Sequence, residues 1–138
     1  MFLLDTHVWI WGADDYERRL GPSTRRLLLR ADARGLVRLS PLTLFEITAL
    51  HVAGSLRLGR PVEQWLAEAL ELSGFRLAEL TGAAAIDAGH IPRAALPDPT
   101  DRLLVATARQ LDATFVTADR AILAYARGGH VRVHDARR

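Results

Sequence analysis

The chain opens on a short apolar run, Phe2-Leu3-Leu4, that ends in Asp5. Such a run is too brief for a helix and suits a buried strand. His7 to Trp11 continues apolar until Gly12 and the acidic pair Asp14-Asp15 break the pattern. Gly21-Pro22-Ser23 then leads into Thr24 to Arg34, where leucines and arginines fall at amphipathic helical spacing, and Gly35 stops that helix. Leu36 to Leu39 alternates like a strand. Ser40-Pro41 supplies an N-cap and a first-turn proline for a helix through Ala53, closed by Gly54. From Pro61 another helix keeps Val62, Trp65, Leu66, Ala69 and Leu70 on one face as far as Ser73-Gly74. Phe75 to Leu80 alternates as a strand, Thr81 caps an Ala-rich helix to about His90, and Ile91 to Pro99 is a proline-rich loop. Thr100 to Leu111 is apolar almost all round, as in a helix buried against a sheet. Thr114 to Thr117 follows as a strand, Asp119 to Arg127 as a short helix, and Val131 to Val133 as an edge strand.

Strands alternating with helices predict right-handed crossovers and an α/β fold, a three-layer α/β/α sandwich on a mostly parallel sheet of about five strands. A length of 138 residues, 49% of them hydrophobic, fits one domain over 1–138 with a sizeable core. The absence of cysteine excludes disulfides, thiolate zinc sites, iron–sulfur clusters and a cysteine nucleophile, and points to an intracellular, cytoplasmic protein. The N-terminal run meets an acid too early for a signal peptide or a membrane span. All 18 basic residues are arginine, so the isoelectric point near 9.9 reflects how few groups titrate above neutrality; the net charge is only +2. Arg18, Arg19, Arg25, Arg26, Arg30, Arg34 and Arg38 crowd the first third, either as a phosphate-binding face or, the favoured reading, as a solvated one.

Ligands of open parallel sheets bind beyond the carboxyl ends of the strands. Asp5 directly follows the first strand and Asp119 the Thr114–Thr117 strand; Glu46 lies in the helix after the second, and Asp98 and Asp101 open the apolar helix before the fourth. Carboxylates gathered on one rim repel one another unless a cation sits among them, and oxygen-only ligation suits Mg²⁺ or Mn²⁺. Such an ion supports phosphodiester hydrolysis, and no nucleophile elbow, glycine-rich phosphate loop or paired histidines compete with that chemistry. Each acid also has a plain structural reading. Asp98 can cap a helix whose first turn holds Pro99 and Asp101, Asp119 can cap the short helix after it, and Thr43 with Glu46 has capping-box spacing. If Ser40 is the cap, however, Glu46 is left without a local role. Asp5 interrupts apolar sequence on both sides, which is costly without compensation.

At these residues the sequence resembles the PIN-domain ribonucleases, and within them the VapC toxins of bacterial toxin–antitoxin pairs. Leu4-Asp5-Thr6-His7-Val8-Trp9-Ile10-Trp11 is similar to the family's opening strand, Ser40-Pro41-Leu42-Thr43-Leu44-Phe45-Glu46-Ile47 to its Glu-bearing helix, Asp98-Pro99-Thr100-Asp101-Arg102-Leu103-Leu104-Val105-Ala106-Thr107-Ala108 to its third acidic motif, and Val116-Thr117-Ala118-Asp119 to its fourth. The resemblance implies Asp5, Glu46, Asp101 and Asp119 as a catalytic acidic quartet around Mg²⁺ or Mn²⁺, with Asp5 and Asp101 as direct ligands and Asp98, Thr6 and Thr117 in support. It further implies an endoribonuclease acting as the toxin of a type II pair, a homodimer, and a small antitoxin whose tail enters an Arg-lined or acid-lined cleft. Phe45 stands where a Trp is frequent, and Leu96-Pro97 precedes Asp98 where a His or Arg is common. Rival readings are a non-toxin PIN nuclease in RNA processing, a phospho-receiver or phosphatase, which the lack of lysine disfavours, and a non-catalytic binding module. His7 reads as a rim histidine, and Trp9, Trp11 and Trp65 as core in preference to base-stacking platforms.

Overall fold

The computed structural model describes residues 1–13 and 19–138. Its elements run β1 (Phe2–Leu4), α1 (Thr6–Ala13), α2 (Pro22–Ala33), β2 (Val37–Leu39), α3 (Pro41–Val52), α4 (Val62–Leu72), β3 (Arg76–Leu77), α5 (Gly82–His90), α6 (Pro99–Gln110), β4 (Thr114–Thr117), α7 (Arg120–Ala126) and β5 (Val133–Asp135). The five strands form one sheet in the order β3-β2-β1-β4-β5, every pair parallel. An unbroken apolar β1 is what a central parallel strand requires, because both of its faces are covered.

Successive side chains of β1 point to opposite faces and found two cores. Leu4 packs with Val8, Trp9, Ile47, Val62 and Trp65 beneath α1 to α4. Leu3 packs with Leu104, Val105, Ala108, Phe115 and Ile122 beneath α6 and α7. Ala84, Ala88 and Ala106 let α5 lie close against α6. Two cores on either side of one sheet make the three layers expected. Trp9 and Trp65 meet edge to face at 5.5 Å inside the first core, so both are core residues, whereas Trp11 is half-buried against His7 and Arg19. Among the described residues no helix is long and apolar enough to cross a membrane.

The chain steps from β1 to β2 to β3 in one direction, then crosses to β4 and β5 on the other side. Strand order therefore reverses between β1 and β4, the place where such sheets open a binding crevice. Asp5 N–H donates to the Val116 carbonyl at 3.0 Å, carrying the β1–β4 pairing up to that rim.

Several boundaries differ from the sequence expectation. Thr6 to Ala13 is a helix of its own, begun by the Asp5 carbonyl accepting from Val8 and Trp9 N–H; five apolar residues could not distinguish helix from strand. β3 shrinks to Arg76–Leu77, a short, exposed edge. β5 begins two residues later than the apolar pair Val131 and Val133 suggests, because polar His134 and Asp135 pair with Val116 and Thr117. His134 Nε2 also meets Thr24 Oγ1 at 2.7 Å, a contact between distant segments that no alternation pattern reveals. Arg25, Arg26, Arg30 and Arg34 on or just after α2 are exposed, in keeping with a solvated face. Arg38 instead donates to the Gly35 and Val37 carbonyls, and Arg18, Asp14 and Asp15 lie outside the described residues.

Beyond β5 the last residues form a strap over the start of α2: Gly21 N–H donates to the Ala136 carbonyl and Thr24 N–H to that of Arg138, both at 2.9 Å. A Cβ at Gly21 would stand 1.9 Å from the Arg138 oxygen, so only glycine lets the two segments meet. Gly21→Ala is expected to lower the unfolding free energy by about 1–3 kcal/mol, measured by urea denaturation. An unchanged midpoint would show that the strap is not held there.

Candidate acidic site

Asp5 lies at the carboxyl end of the central strand, only 5% exposed. Its Oδ1 accepts from Thr6 N–H at 2.8 Å and its Oδ2 from the Thr117 hydroxyl at 2.6 Å. Thr117 Oγ1 accepts in turn from Asp119 N–H at 3.0 Å, so one hydroxyl ties the ends of β1 and β4 together across the reversal point. His7 Nε2 accepts from Ala118 N–H at 3.1 Å, and its Nδ1 stands 3.6 Å from Asp5 Oδ2. The histidine is thus a rim residue packed against the acid.

Glu46 reaches the same place from α3. Ser40 is the N-cap, its Oγ accepting from Leu42 N–H at 3.1 Å, which frees Glu46 from a capping role. The Thr6 hydroxyl donates to Glu46 Oε1 at 2.5 Å and receives the Thr43 hydroxyl at 3.1 Å. Thr43 is fully buried one helical turn before Glu46, on the same face of α3. In the sequence Thr43 stands out only for its capping-box spacing to Glu46, and that same i, i+3 spacing is what places both side chains on one face of α3.

Asp98 and Asp119 both cap helices as their local sequence suggests. Asp98 Oδ1 accepts from Thr100 N–H at 2.9 Å and Asp119 Oδ1 from Ile122 N–H at 3.0 Å. Asp98 is exposed and Asp119 half-buried. Asp101, on the first turn of α6, differs: among the described residues its half-buried carboxyl has no hydrogen-bond or ion-pair partner. Burial, then the charges of Asp5, Asp98, Asp119 and Glu46, push it up to about 7. Burial likewise raises Glu46, with Asp5 and Asp98 adding to the shift, and raises Asp5 against the opposing influence of His7, Thr117 and Thr6. Asp101 thus feels the charge of Asp5, Glu46, Asp98 and Asp119, although Asp5, Glu46 and Asp119 come from segments far from it in the chain.

Among the described residues no three His, Asp or Glu side chains are already drawn together at metal-ligand spacing. The donor set nevertheless fits a hard divalent cation. It is all oxygen, Asp101 is pushed up by burial and by the charge of the other acids, and among the described residues it has no donor to offset its own charge. Asp5 and Glu46, by contrast, are fixed by hydroxyls in the manner of ligands held from behind.

A family model described as PIN domain matches residues 2–128. The chain is 31% identical over 120 residues to Ribonuclease VapC22 of Mycobacterium tuberculosis, covering 87% of this chain and 88% of that protein. Its fold superposes on DNA-bound VapBC from Salmonella typhimurium with a TM-score of 0.68 at 22% identity, covering 97% of this chain and 96% of that one. It also superposes on FitAcB from Neisseria gonorrhoeae with a TM-score of 0.62 at 26% identity, covering 99% and 98%.

Between the ordinary aspartate value of 3.8 and about 7 the folded chain binds more protons at Asp101 than the unfolded chain does. Its contribution to stability therefore declines as pH rises through that window and is level above it. Solvent at the half-exposed carboxyl moderates the size of the effect. Asp101→Asn should raise the thermal midpoint at pH 7.5 by a few degrees, corresponding to about 1 kcal/mol, and leave it unchanged at pH 4. Scanning fluorimetry at both pH values would detect this; equal midpoints at pH 7.5 would mean that the Asp101 charge costs the folded chain nothing, whether through burial or through its acidic neighbours.

Proposed function

The chain belongs to the PIN-domain family, and on that premise we propose that it is the endoribonuclease toxin of a VapBC-type toxin–antitoxin pair, using a divalent cation held by its acidic rim. Asp101 carries this reading: among the described residues its half-buried carboxyl has no donor, and burial together with the charges of Asp5, Asp98, Asp119 and Glu46 holds it well above the usual aspartate range. The 31% identity to a protein named a ribonuclease, over nearly its whole length, supports the same reading.

In this proposal Asp5 and Asp101 hold Mg²⁺ or Mn²⁺, and Glu46 and Asp119 complete the quartet. The bound cation supplies charge stabilisation at the phosphoryl oxygens and lowers the pKa of water toward neutrality. Thr117 and Thr6 hold the Asp5 carboxylate in one orientation. Thr6 occupies Glu46 Oε1, which leaves Oε2 to accept the proton of the attacking water, a role that a raised carboxyl favours. Asp119 is oriented from its own backbone through Thr117. Asp98 assists by charge alone, because its oxygen is engaged in capping. Hydrolysis would leave 5′-phosphate and 3′-hydroxyl ends on RNA.

The partner is a small antitoxin, in line with the VapBC assemblies whose fold this chain shares. The protein acts in the cytoplasm as a homodimer; the exposed apolar stripe Phe45, Ala49 and Val52 along α3 supports the self-association. The apolar groove of about 500 Å³ beside α1, α2 and α4 is walled by Leu4, Trp9, Leu28, Trp65 and Leu72, with Arg25 and Arg60 at its margin, rather than being Arg-lined throughout.

Asp5→Asn and Asp101→Asn are expected to abolish Mg²⁺-dependent RNA cleavage while retaining the parent circular dichroism spectrum. Thr117→Val should keep cleavage but reduce it about 10–100-fold, by loosening Asp5. Gel assays of a structured RNA with and without a chelator would read both effects. An Asn variant that cuts as well as the parent would remove that residue from the site.

A further inference from the structure

On the far side of the sheet from β3, α7 and the strap after β5 enclose an open cleft of about 550 Å³ lined by Arg120, Arg127, Arg137, Arg138 and His134. Arg120, Leu123 and Arg127 fall at i, i+3 and i+7, one stripe of a helix that starts a single residue after Asp119. Along α7 the two arginines are about 10 Å apart. Because β5 runs parallel to β1, Arg137 and Arg138 lie past its carboxyl end, on the same rim as Asp5. Asp135 is the carboxylate of the cleft, and Arg137 takes both of its oxygens at 3.0 and 3.2 Å. Arg120 and Arg127 are exposed and, among the described residues, make no ion pair.

Like charges lining a concave surface repel unless an anion lies between them. Guanidinium groups are suited to phosphate oxygens, which they can engage in pairs. An acidic rim repels a phosphate backbone, so a strand cut there needs cations immediately beside it. We propose that the α7–β5 cleft holds the sugar–phosphate backbone of single-stranded RNA leading away from the acidic site, with Arg120 and Arg127 as its principal phosphate contacts. The choice of RNA rests on the ribonuclease reading; the anionic-strand character rests on the arginines alone.

Binding can be separated from cutting by working in the Asp101→Asn protein with chelator present and following the fluorescence anisotropy of a labelled oligoribonucleotide over a salt series. Adding Arg120→Gln and Arg127→Gln should weaken binding and lower the slope of log K against log salt by about 0.7 per lost contact, about 1.4 for the pair. Arg127→Gln alone, a full α7 length from the acids, should give half that change. Arg76→Gln, exposed on the opposite edge of the sheet, should change neither quantity. Parent affinity and slope in the double variant would overturn the proposal. So would an equal loss in Arg76→Gln, or a duplex DNA that displaces the oligoribonucleotide more tightly than the single strand itself binds. Failure of the metal-loaded parent to cut any RNA would instead count against the nuclease reading and would leave the binding result intact.

Discussion

A carboxylate buried at the end of the central strand is the constraint around which the molecule is arranged. Asp5 is nearly sealed from solvent, and removing a charge from water is expensive unless hydrogen bonds replace the lost hydration. Two groups do so, the Thr6 backbone N–H and the Thr117 hydroxyl. Thr117 is available only because β4 pairs with β1, and β4 pairs with β1 only because strand order reverses there. Fold and site are thus one arrangement: topology places a hydroxyl where a buried acid needs a donor.

The remaining acids follow from where the neighbouring helices begin. α6 and α7 start at the carboxyl rim with aspartate caps, and α3 enters beside them from Ser40. Capping and gathering of charge are not exclusive. Asp119 satisfies the first turn of α7 and still acts on Asp5 and Asp101, and Asp98 caps α6 and still acts on Asp101 and Glu46. Asp101 is the exception, since its backbone position suits a helix N-terminus but its carboxyl satisfies nothing nearby.

Much of this was legible in the chain. The unbroken apolar Phe2–Leu4 announced a strand buried on both faces, Ser40-Pro41 located the start of α3, and Asp98-Pro99 that of α6. The aspartates of the site could be nominated because each follows a strand or opens a helix, and Glu46 because Ser40 takes the cap and leaves it without a local role. The Thr43–Thr6–Glu46 chain could not, because Thr6 and Glu46 are 40 residues apart and only the packing of α1 on α3 joins them. β5 was misplaced for a related reason. Its polar residues are held by Thr24 and by the sheet, and hydrophobic alternation carries no record of such contacts. A net charge of +2 similarly conceals an acidic rim and an arginine cleft side by side.

Fold and site both turn on whether oxygen atoms from distant segments meet around one divalent cation. Crystals soaked in Mn²⁺ and measured at the manganese absorption edge test it most directly. An anomalous peak is expected in contact with the carboxylates of Asp5 and Asp101, with Glu46 and Asp119 around it. A map without density there, or with manganese bound only elsewhere, would contradict it.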